Sequence, residues 1–173
     1  AMMWLNNAIA QSDAKTGVAL LQEWSASHPT HLSSRLAEVQ YWSTEVATLN
    51  AELNPEPVEN AEVEEKEETK EITEPVEPTE EELAAKAEKE ASLAEATASL
   101  EKAKISVSTW LESADQTLFQ YPLLCDGRKV LAYSYLGDFE KAGAILDSVK
   151  GHVSTDPDLS FAAANYYALS GQS

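Results

Sequence analysis

The sequence predicts an all-α protein whose helices form two groups separated by an acidic linker. Apolar residues recur every three or four positions through residues 1–53 and again through residues 81–173, which is the period of an amphipathic helix. Proline and glycine fall between these runs, where helices end. Residues 54–80 break the period and are rich in glutamate and proline. These three observations divide the chain into an N-terminal helical region, a linker and a C-terminal helical region.

Two main helices are predicted in the N-terminal region, after a short one near residues 3–10. The first covers residues 14–27 and ends before Pro29, because proline cannot continue a helix. The second begins near Ser33 and ends at Asn54, which precedes another proline. Its apolar positions are spaced by three or four residues: Leu36, Val39, Trp42, Val46, Leu49 and Leu53.

The linker, residues 54–80, contains eleven glutamates and four prolines against two lysines, and so carries half of the net charge of −18. Such a segment buries too little apolar surface to offset the entropy lost on ordering, and it is predicted to be disordered. The motif Glu-Pro-Val-Glu occurs at residues 56–59 and 74–77, which indicates a spacer of polyproline II character. Two roles stay open: a spacer within one fold, or an acidic recruitment site for a basic partner.

A long helix is predicted directly after the linker. Thr79 and Glu82 form a capping-box pattern, and no proline or glycine follows up to about Glu112. Its apolar seam is Leu93, Ala96, Leu100, Ala103, Val107 and Trp110. This seam is shorter than the roughly three to four heptads that indicate a coiled coil. We therefore expect the helix to pack on its neighbours, with a homodimeric coiled coil over residues 80–112 as the alternative.

The C-terminal region repeats every 34 residues. Tyr133 and Tyr167 are 34 positions apart, and so are Gly137 and Gly171. Three helices are predicted here: one over Lys129–Leu136, one capped by Asp138, and one capped by Thr155 or Asp156 with Pro157 at its first position. We expect Gly151 to end the second of them in the left-handed conformation.

Residues 133–142, Tyr-Ser-Tyr-Leu-Gly-Asp-Phe-Glu-Lys-Ala, resemble the turn between the two helices of a tetratricopeptide repeat. The resemblance covers about residues 122–171, is weaker over residues 1–53 and is absent from the linker. It implies tetratricopeptide-like helical hairpins, as in a fragment of an α-solenoid. Two departures are a lysine, Lys129, where the family usually has a large apolar residue, and a longer loop before Pro157.

The resemblance also implies where a partner binds. In this family the first helices of successive repeats line a groove that holds an extended peptide or a partner helix. The matching positions here are Leu131, Ser134, Tyr135, Phe161, Asn165 and Ala168. Asn165 stands where carboxylate-clamping members have asparagine, but Phe161 stands where they have lysine, which argues against carboxylate clamping.

Composition and residue spacing exclude several other functions. Twelve basic residues against 30 acidic ones do not favour binding to nucleic acid or to an anionic membrane. His28, His31 and His152 lack cysteine or carboxylate companions at metal-site spacing, and we expect the first two to be surface loop residues. Cys125 is expected to be a small buried residue. No nucleophile and base, and no phosphate-binding glycine loop, are recognisable, so no enzyme activity, metal or cofactor is predicted.

We therefore hypothesise a non-enzymatic scaffold that recruits or assembles partner proteins. A bacterial envelope or secretion complex suits a repeat domain that carries a Glu/Pro spacer. The alternative is a structural module that self-associates through residues 80–112, so a homo-oligomer is one expected state. No run approaches the roughly 18 apolar residues of a membrane span, and the first residues do not follow a signal-peptide pattern. These patterns do not separate a cytoplasmic from a periplasmic location.

Overall fold

A computed structural model describes residues 14–28, 31–55 and 79–171, and within these ranges the protein is all-α, as predicted. The predicted short helix near residues 3–10 and nearly all of the linker lie outside the described residues. The helices are α1 (Ala14–Ser27), α2 (Leu32–Leu53), α3 (Glu80–Thr117), α4 (Pro122–Leu136), α5 (Phe139–Val149) and α6 (Pro157–Ser170).

Helices α2 and α3 form a long antiparallel pair. Two polar contacts show the register: an ion pair of 2.9 Å between Lys89 Nζ and Glu52 Oε2 at one end and a hydrogen bond from Arg35 to Ser106 Oγ further along. The predicted seam of α3 faces inward: Ala96, Ala103, Val107 and Trp110 are buried, and the last three lie in one apolar core with residues of α2. The prediction that this helix packs on its neighbours is therefore confirmed.

Helices α2, α4 and α6 run in the same direction. Near their N-terminal ends, Leu32 and Cys125 share one core, and Gly127 of α4 lies under Leu159 of α6. Near the C-terminal ends of α4 and α6, Tyr135 and Leu169 line a common cleft. Helix α3 precedes α4 and α5 precedes α6, and each runs back in the opposite direction. Helices α2, α4 and α6 thus form one layer, and α3 and α5, which run in the opposite direction, pack on it.

Two apolar cores hold these layers together. The first joins α2, α3 and α4 through residues that include Val39, Val107 and Trp110. The second joins α4, α5 and α6 through residues that include Val130 and Tyr166. Burying one large aliphatic side chain contributes roughly 1.5–3 kcal/mol. Among the described residues, the first core buries four such side chains, Leu32, Leu36, Val39 and Val107, and the second buries two, Val130 and Leu146. Leu131 of α4 contacts both cores and links them.

Several of the predicted caps are present at the described helix ends. Gly137 ends α4 with φ 79°, Gly171 ends α6 with φ 69°, and Asp138 caps α5 by accepting a bond from Lys141 N at 3.3 Å. Of the two residues offered as caps for α6, Asp156 has the role and accepts from Leu159 N at 3.0 Å.

The prediction for Gly151 is wrong, because this residue does not have positive φ. Helix α5 ends at Val149, and the chain continues through tight turns instead of a left-handed cap. The amide of His152 donates to the Val149 carbonyl at 2.8 Å, and the amide of Thr155 donates to the His152 carbonyl at 3.0 Å. The first bond satisfies the carbonyl of the last helical residue, and the second closes the turn that follows.

Helix α4 starts at Pro122, seven residues before the predicted Lys129. The structure also shows how the side chain of Lys129 is accommodated. The Lys129 side chain is only 18% exposed, and its Nζ contacts Asp115 Oδ1 of α3 at 2.5 Å. The aliphatic stem packs while the ammonium is paired, which lets a lysine replace a large apolar residue.

No helix within the described ranges combines the length and the apolar character needed to cross a membrane.

Candidate functional site

A cleft of about 350 Å³ lies between the three parallel helices, and we call it the α2–α4–α6 cleft. Helix α2 contributes three residues, α4 with its terminal turn contributes four, and α3, α5 and α6 contribute one each. The lining residues are Val39, Gln40, Ser43, Lys104, Ser134, Tyr135, Leu136, Gly137, Phe139 and Leu169. Aromatic and aliphatic side chains predominate, with a few polar groups among them, as is common in sites that bind peptides or small ligands.

The turn after α4 shapes one wall of this cleft. Gly137 adopts the left-handed conformation, so the chain reverses directly after Leu136 and brings Phe139 to the wall. Asp138 then fixes the start of α5, since its carboxylate accepts from Lys141 N and also contacts Lys141 Nζ at 2.6 Å. The motif that gave the family resemblance therefore positions cleft residues.

Lys104 gives the cleft a charge opposite to that of the whole chain. Among the described residues that line it, Lys104 is the only one charged at neutral pH, while the chain carries a net charge of −18. Its Nζ lies 3.0 Å from Glu101 Oε1, and the lysine side chain is 35% exposed. An acidic group of a ligand in the cleft would share this ammonium with Glu101, and the other lining residues carry no charge that would repel it.

Two of the six residues predicted to form a binding groove line the α2–α4–α6 cleft. Ser134 and Tyr135 belong to the cleft, whereas Leu131 is half-buried between the two cores. The Ser134 hydroxyl is buried and donates to the Val130 carbonyl at 2.8 Å, so this side chain serves the helix.

The other three predicted groove residues lie on α6 and do not line the cleft. Phe161 and Ala168 are exposed. Asn165 is half-buried, and its Nδ2 donates to the Phe161 carbonyl at 2.9 Å.

Several lining residues were missed by sequence reasoning. One could have been found: Leu169 is 34 positions after Tyr135, so the repeat relates the two. Gln40, Ser43 and Lys104 carry no such signal, because their place depends on how α2 and α3 pair across the linker.

A second cleft, of about 480 Å³, is less suited to recognition. It lies between α3 and the α4–α5 turn, and its walls include Glu112, Asp138 and Lys141. Lys141 is already paired with Asp138 at 2.6 Å and lies 5.4 Å from the Tyr133 ring centroid. Two carboxylates, Glu112 and Asp138, line this cleft beside its lysine, whereas no carboxylate is among the described residues that line the α2–α4–α6 cleft.

A buried hydrogen bond joins α1 to α2. The Ser25 hydroxyl donates to Glu38 Oε1 at 2.9 Å, and both residues are buried. Burial raises the pKa of the Glu38 carboxyl, against the opposing effects of the Ser25 hydrogen bond and of Arg35. This pair joins two helices.

The histidines expected on surface loops differ from each other. His28 is exposed and stacks on Trp24 with ring centroids 3.8 Å apart. His31 is half-buried at the start of α2, contrary to expectation, because its ring meets the edge of Trp24 at 6.3 Å. Burial, Arg128 and His28 together lower the pKa of His31.

Cys125 is buried, as predicted, and only 4% exposed. Burial raises the pKa of its thiol, and its Sγ lies 3.7 Å from Asp115 Oδ1. A buried thiol with a raised pKa is a poor nucleophile. Within residues 14–28, 31–55 and 79–171, no group of three or more His, Cys, Asp or Glu side chains is placed to hold a metal ion.

Comparisons of the chain with protein-family models, with curated proteins and with solved structures gave no match.

Proposed function

We propose that this chain is a non-enzymatic, tetratricopeptide-like scaffold that binds a short segment of a partner protein in the α2–α4–α6 cleft. One observation carries the proposal: three helices that run in the same direction contribute side chains to one apolar cleft with a single cation, Lys104. The segment that fits has apolar side chains for the cleft walls and an acidic group that pairs with Lys104.

The helix arrangement supports the tetratricopeptide-like part of this proposal. Helices α4 and α5 form a hairpin closed by the Gly137–Asp138 turn, and α6 packs on α4 in parallel. In the same scheme, α2 and α3 are one hairpin whose connection has been lengthened by the linker. The first helices of three units, α2, α4 and α6, then line the cleft.

Self-association through residues 80–112, the alternative drawn from the sequence, is less well supported. The central apolar seam residues of α3 are covered by α2 of the same chain. A coiled coil built on that seam would have to displace α2 and expose the first core. Helix α3 therefore acts in this proposal as a support for the cleft.

An affinity pull-down from the native host separates the cleft from the acidic linker as the binding surface. One variant carries Leu169→Glu, which adds an acidic group to the cleft rim at a side chain that is 47% exposed. A second has residues 56–78 replaced by a neutral Gly/Ser linker, and Ile105→Glu on the exposed side of α3 is the matched control.

We expect the same partner to be recovered with the wild type, the neutral linker and the control, and to be lost with Leu169→Glu. Loss with the neutral linker and retention with Leu169→Glu would instead make the glutamates the recruitment site.

A further inference from the structure

A cleft of about 200 Å³ lies between α2 and α3, on the half of this helix pair that is nearer the linker, and we call it the α2–α3 cleft. It shares no described lining residue with the α2–α4–α6 cleft. Sites that enclose a drug-sized ligand usually have roughly 300–1,000 Å³, so this cleft is of a size for a single side chain. Its lining residues are Tyr41, Trp42, Glu45, Leu49, Ser92, Glu95 and Ala96.

Two carboxylates, one on each helix, line the α2–α3 cleft without a cation to pair with. Glu45 is half-buried and Glu95 is exposed, and neither forms a salt bridge within the described ranges. No residue three or four positions from either glutamate on its own helix is a lysine or an arginine. Lys89, the lysine nearest in sequence to the α3 part of the cleft, is paired with Glu52 at 2.9 Å.

The indole ring of Trp42 gives the cleft an aromatic surface beside these carboxylates. Trp42 is half-buried and packs against the first core, and its Nε1 atom is buried. The part of the ring that is open to the cleft is therefore carbon. The ring of Tyr41 stands nearly perpendicular to it, with ring centroids 5.0 Å apart. Of the aromatic side chains, an indole ring attracts a cation over its face most strongly.

The chain fills a similar arrangement elsewhere with a cation of its own. In the cleft between α3 and the α4–α5 turn, Lys141 lies 5.4 Å from the Tyr133 ring centroid and contacts the carboxylate of Asp138 at 2.6 Å. An aromatic ring and carboxylates are combined again in the α2–α3 cleft, but no lysine or arginine is among the described residues that line it. The chemistry of this cleft is therefore complementary to a cation from another molecule.

We infer that the α2–α3 cleft binds an arginine side chain of a partner protein. A guanidinium group is planar, stacks on aromatic faces and has five N–H donors in its plane. It can lie on the Trp42 ring and donate to Glu45 from α2 and to Glu95 from α3, while its aliphatic stem lies against Leu49. A lysine ammonium is a compact, strongly hydrated charge that cannot stack in this way. The inference is independent of the proposed function, because the α2–α4–α6 cleft offers a cation, Lys104, and the α2–α3 cleft offers carboxylates.

An NMR titration of the full chain with N-acetyl-arginine amide tests the inference. At 0.15 M salt, charges farther away than about 8 Å are largely screened, which reduces general attraction to the acidic chain. We expect a saturable shift of the Trp42 indole N–H signal, which is assigned by its absence from Trp42→Phe. N-acetyl-citrulline amide has nearly the same shape without the charge and should not bind, and N-acetyl-lysine amide should bind more weakly than the arginine probe.

Glutamine variants test the two carboxylates. The double variant Glu45→Gln and Glu95→Gln should weaken binding of the arginine probe by roughly tenfold or more, because hydrogen bonds to charged groups are lost. The matched control, Glu23→Gln with Glu140→Gln, removes the same charge at exposed sites outside the cleft and should bind as the wild type does. Three results would each overturn the inference: no saturable shift at Trp42, equal binding of the lysine or citrulline probe, or an equal loss of affinity in the control.

Discussion

Leu159, at the start of α6, packs directly over Gly127 of α4. Leu159 is fully buried, and a Cβ atom at position 127 would meet its Cδ2 at 3.4 Å. This contact sets the distance between two parallel helices of the layer that lines the α2–α4–α6 cleft. The absence of a side chain at one position thus lets the two helices approach closely near their N-terminal ends.

Substitutions of Gly127 should separate the effect of helix propensity from that of space. At 3.4 Å an alanine Cβ makes ordinary contact with a side chain that can adjust. Gly127→Ala should therefore be neutral or stabilise by up to about 1 kcal/mol. Gly127→Leu should destabilise by about 1–3 kcal/mol, because it forces Leu159 out of its site. Urea denaturation measures both, and equal stabilities of the two variants would contradict the close contact.

Replacing glycine by alanine should lower the folding stability at Gly137 and have little effect on it at Gly151. Gly137 has φ 79°, where an alanine loses about 1–2 kcal/mol, whereas Gly151 does not have positive φ. A Cβ atom meets nothing within 4 Å at either site, so the pair isolates the backbone effect. Thermal unfolding compares the two, and a drop for Gly151→Ala as large as that for Gly137→Ala would be inconsistent with the described turns.

Glu38→Gln should raise stability at neutral pH. Burial raises the pKa of Glu38 above the ordinary 4.5, so the folded state holds its proton more tightly than the unfolded state. Ionised Glu38 therefore costs stability at neutral pH, and this cost disappears as the pH falls through the folded pKa toward 4.5. The side-chain oxygen of a glutamine at position 38 can still accept the hydrogen bond from the Ser25 hydroxyl. At pH 7, denaturation should give a larger free energy of unfolding for Glu38→Gln than for the wild type. At pH 4 the two proteins should not differ in this way.

The pH dependence that His31 gives to the folding stability should have the opposite sign. Burial first, then Arg128 and His28, lower its pKa below 6.5, so the unfolded state binds the proton more readily. The stability that comes from neutral His31 is fully present above pH 6.5 and is lost as the pH falls through the lowered pKa. The difference between wild type and His31→Phe, followed from pH 7.5 to pH 5, should isolate this loss. A constant difference over that range would show that His31 does not titrate differently on folding.

Local patterns in the sequence were enough to predict most of the helices. The bounds of α1 were predicted in full, and the seam of α3 faces a core as its spacing indicates. These features depend on residues within a turn or two of each other. Gly151 was mispredicted because the same residue type serves left-handed caps and ordinary turns, and the choice depends on hydrogen bonds made by the following loop.

The candidate site was predicted only in part, because it depends on contacts distant in sequence. Tyr135 could be chosen from the repeat, since the turn at Gly137 fixes its position. Lys104 could not be chosen, because its place in the cleft depends on the pairing of α2 with α3 across the linker. Phe161 was assigned to the groove by the family pattern, yet it is an exposed residue of α6 that does not line the α2–α4–α6 cleft.

Site-specific photo-cross-linking tests the cleft most directly. A photoreactive phenylalanine derivative replaces Ser43, an exposed residue of the cleft, or Ser148, an exposed residue of α5 outside it. We expect a partner segment with apolar and acidic residues to be captured at position 43, not at position 148, and to be lost when Leu169→Glu is added. Equal capture at both positions, or capture at position 43 that Leu169→Glu leaves unchanged, would contradict binding in the cleft.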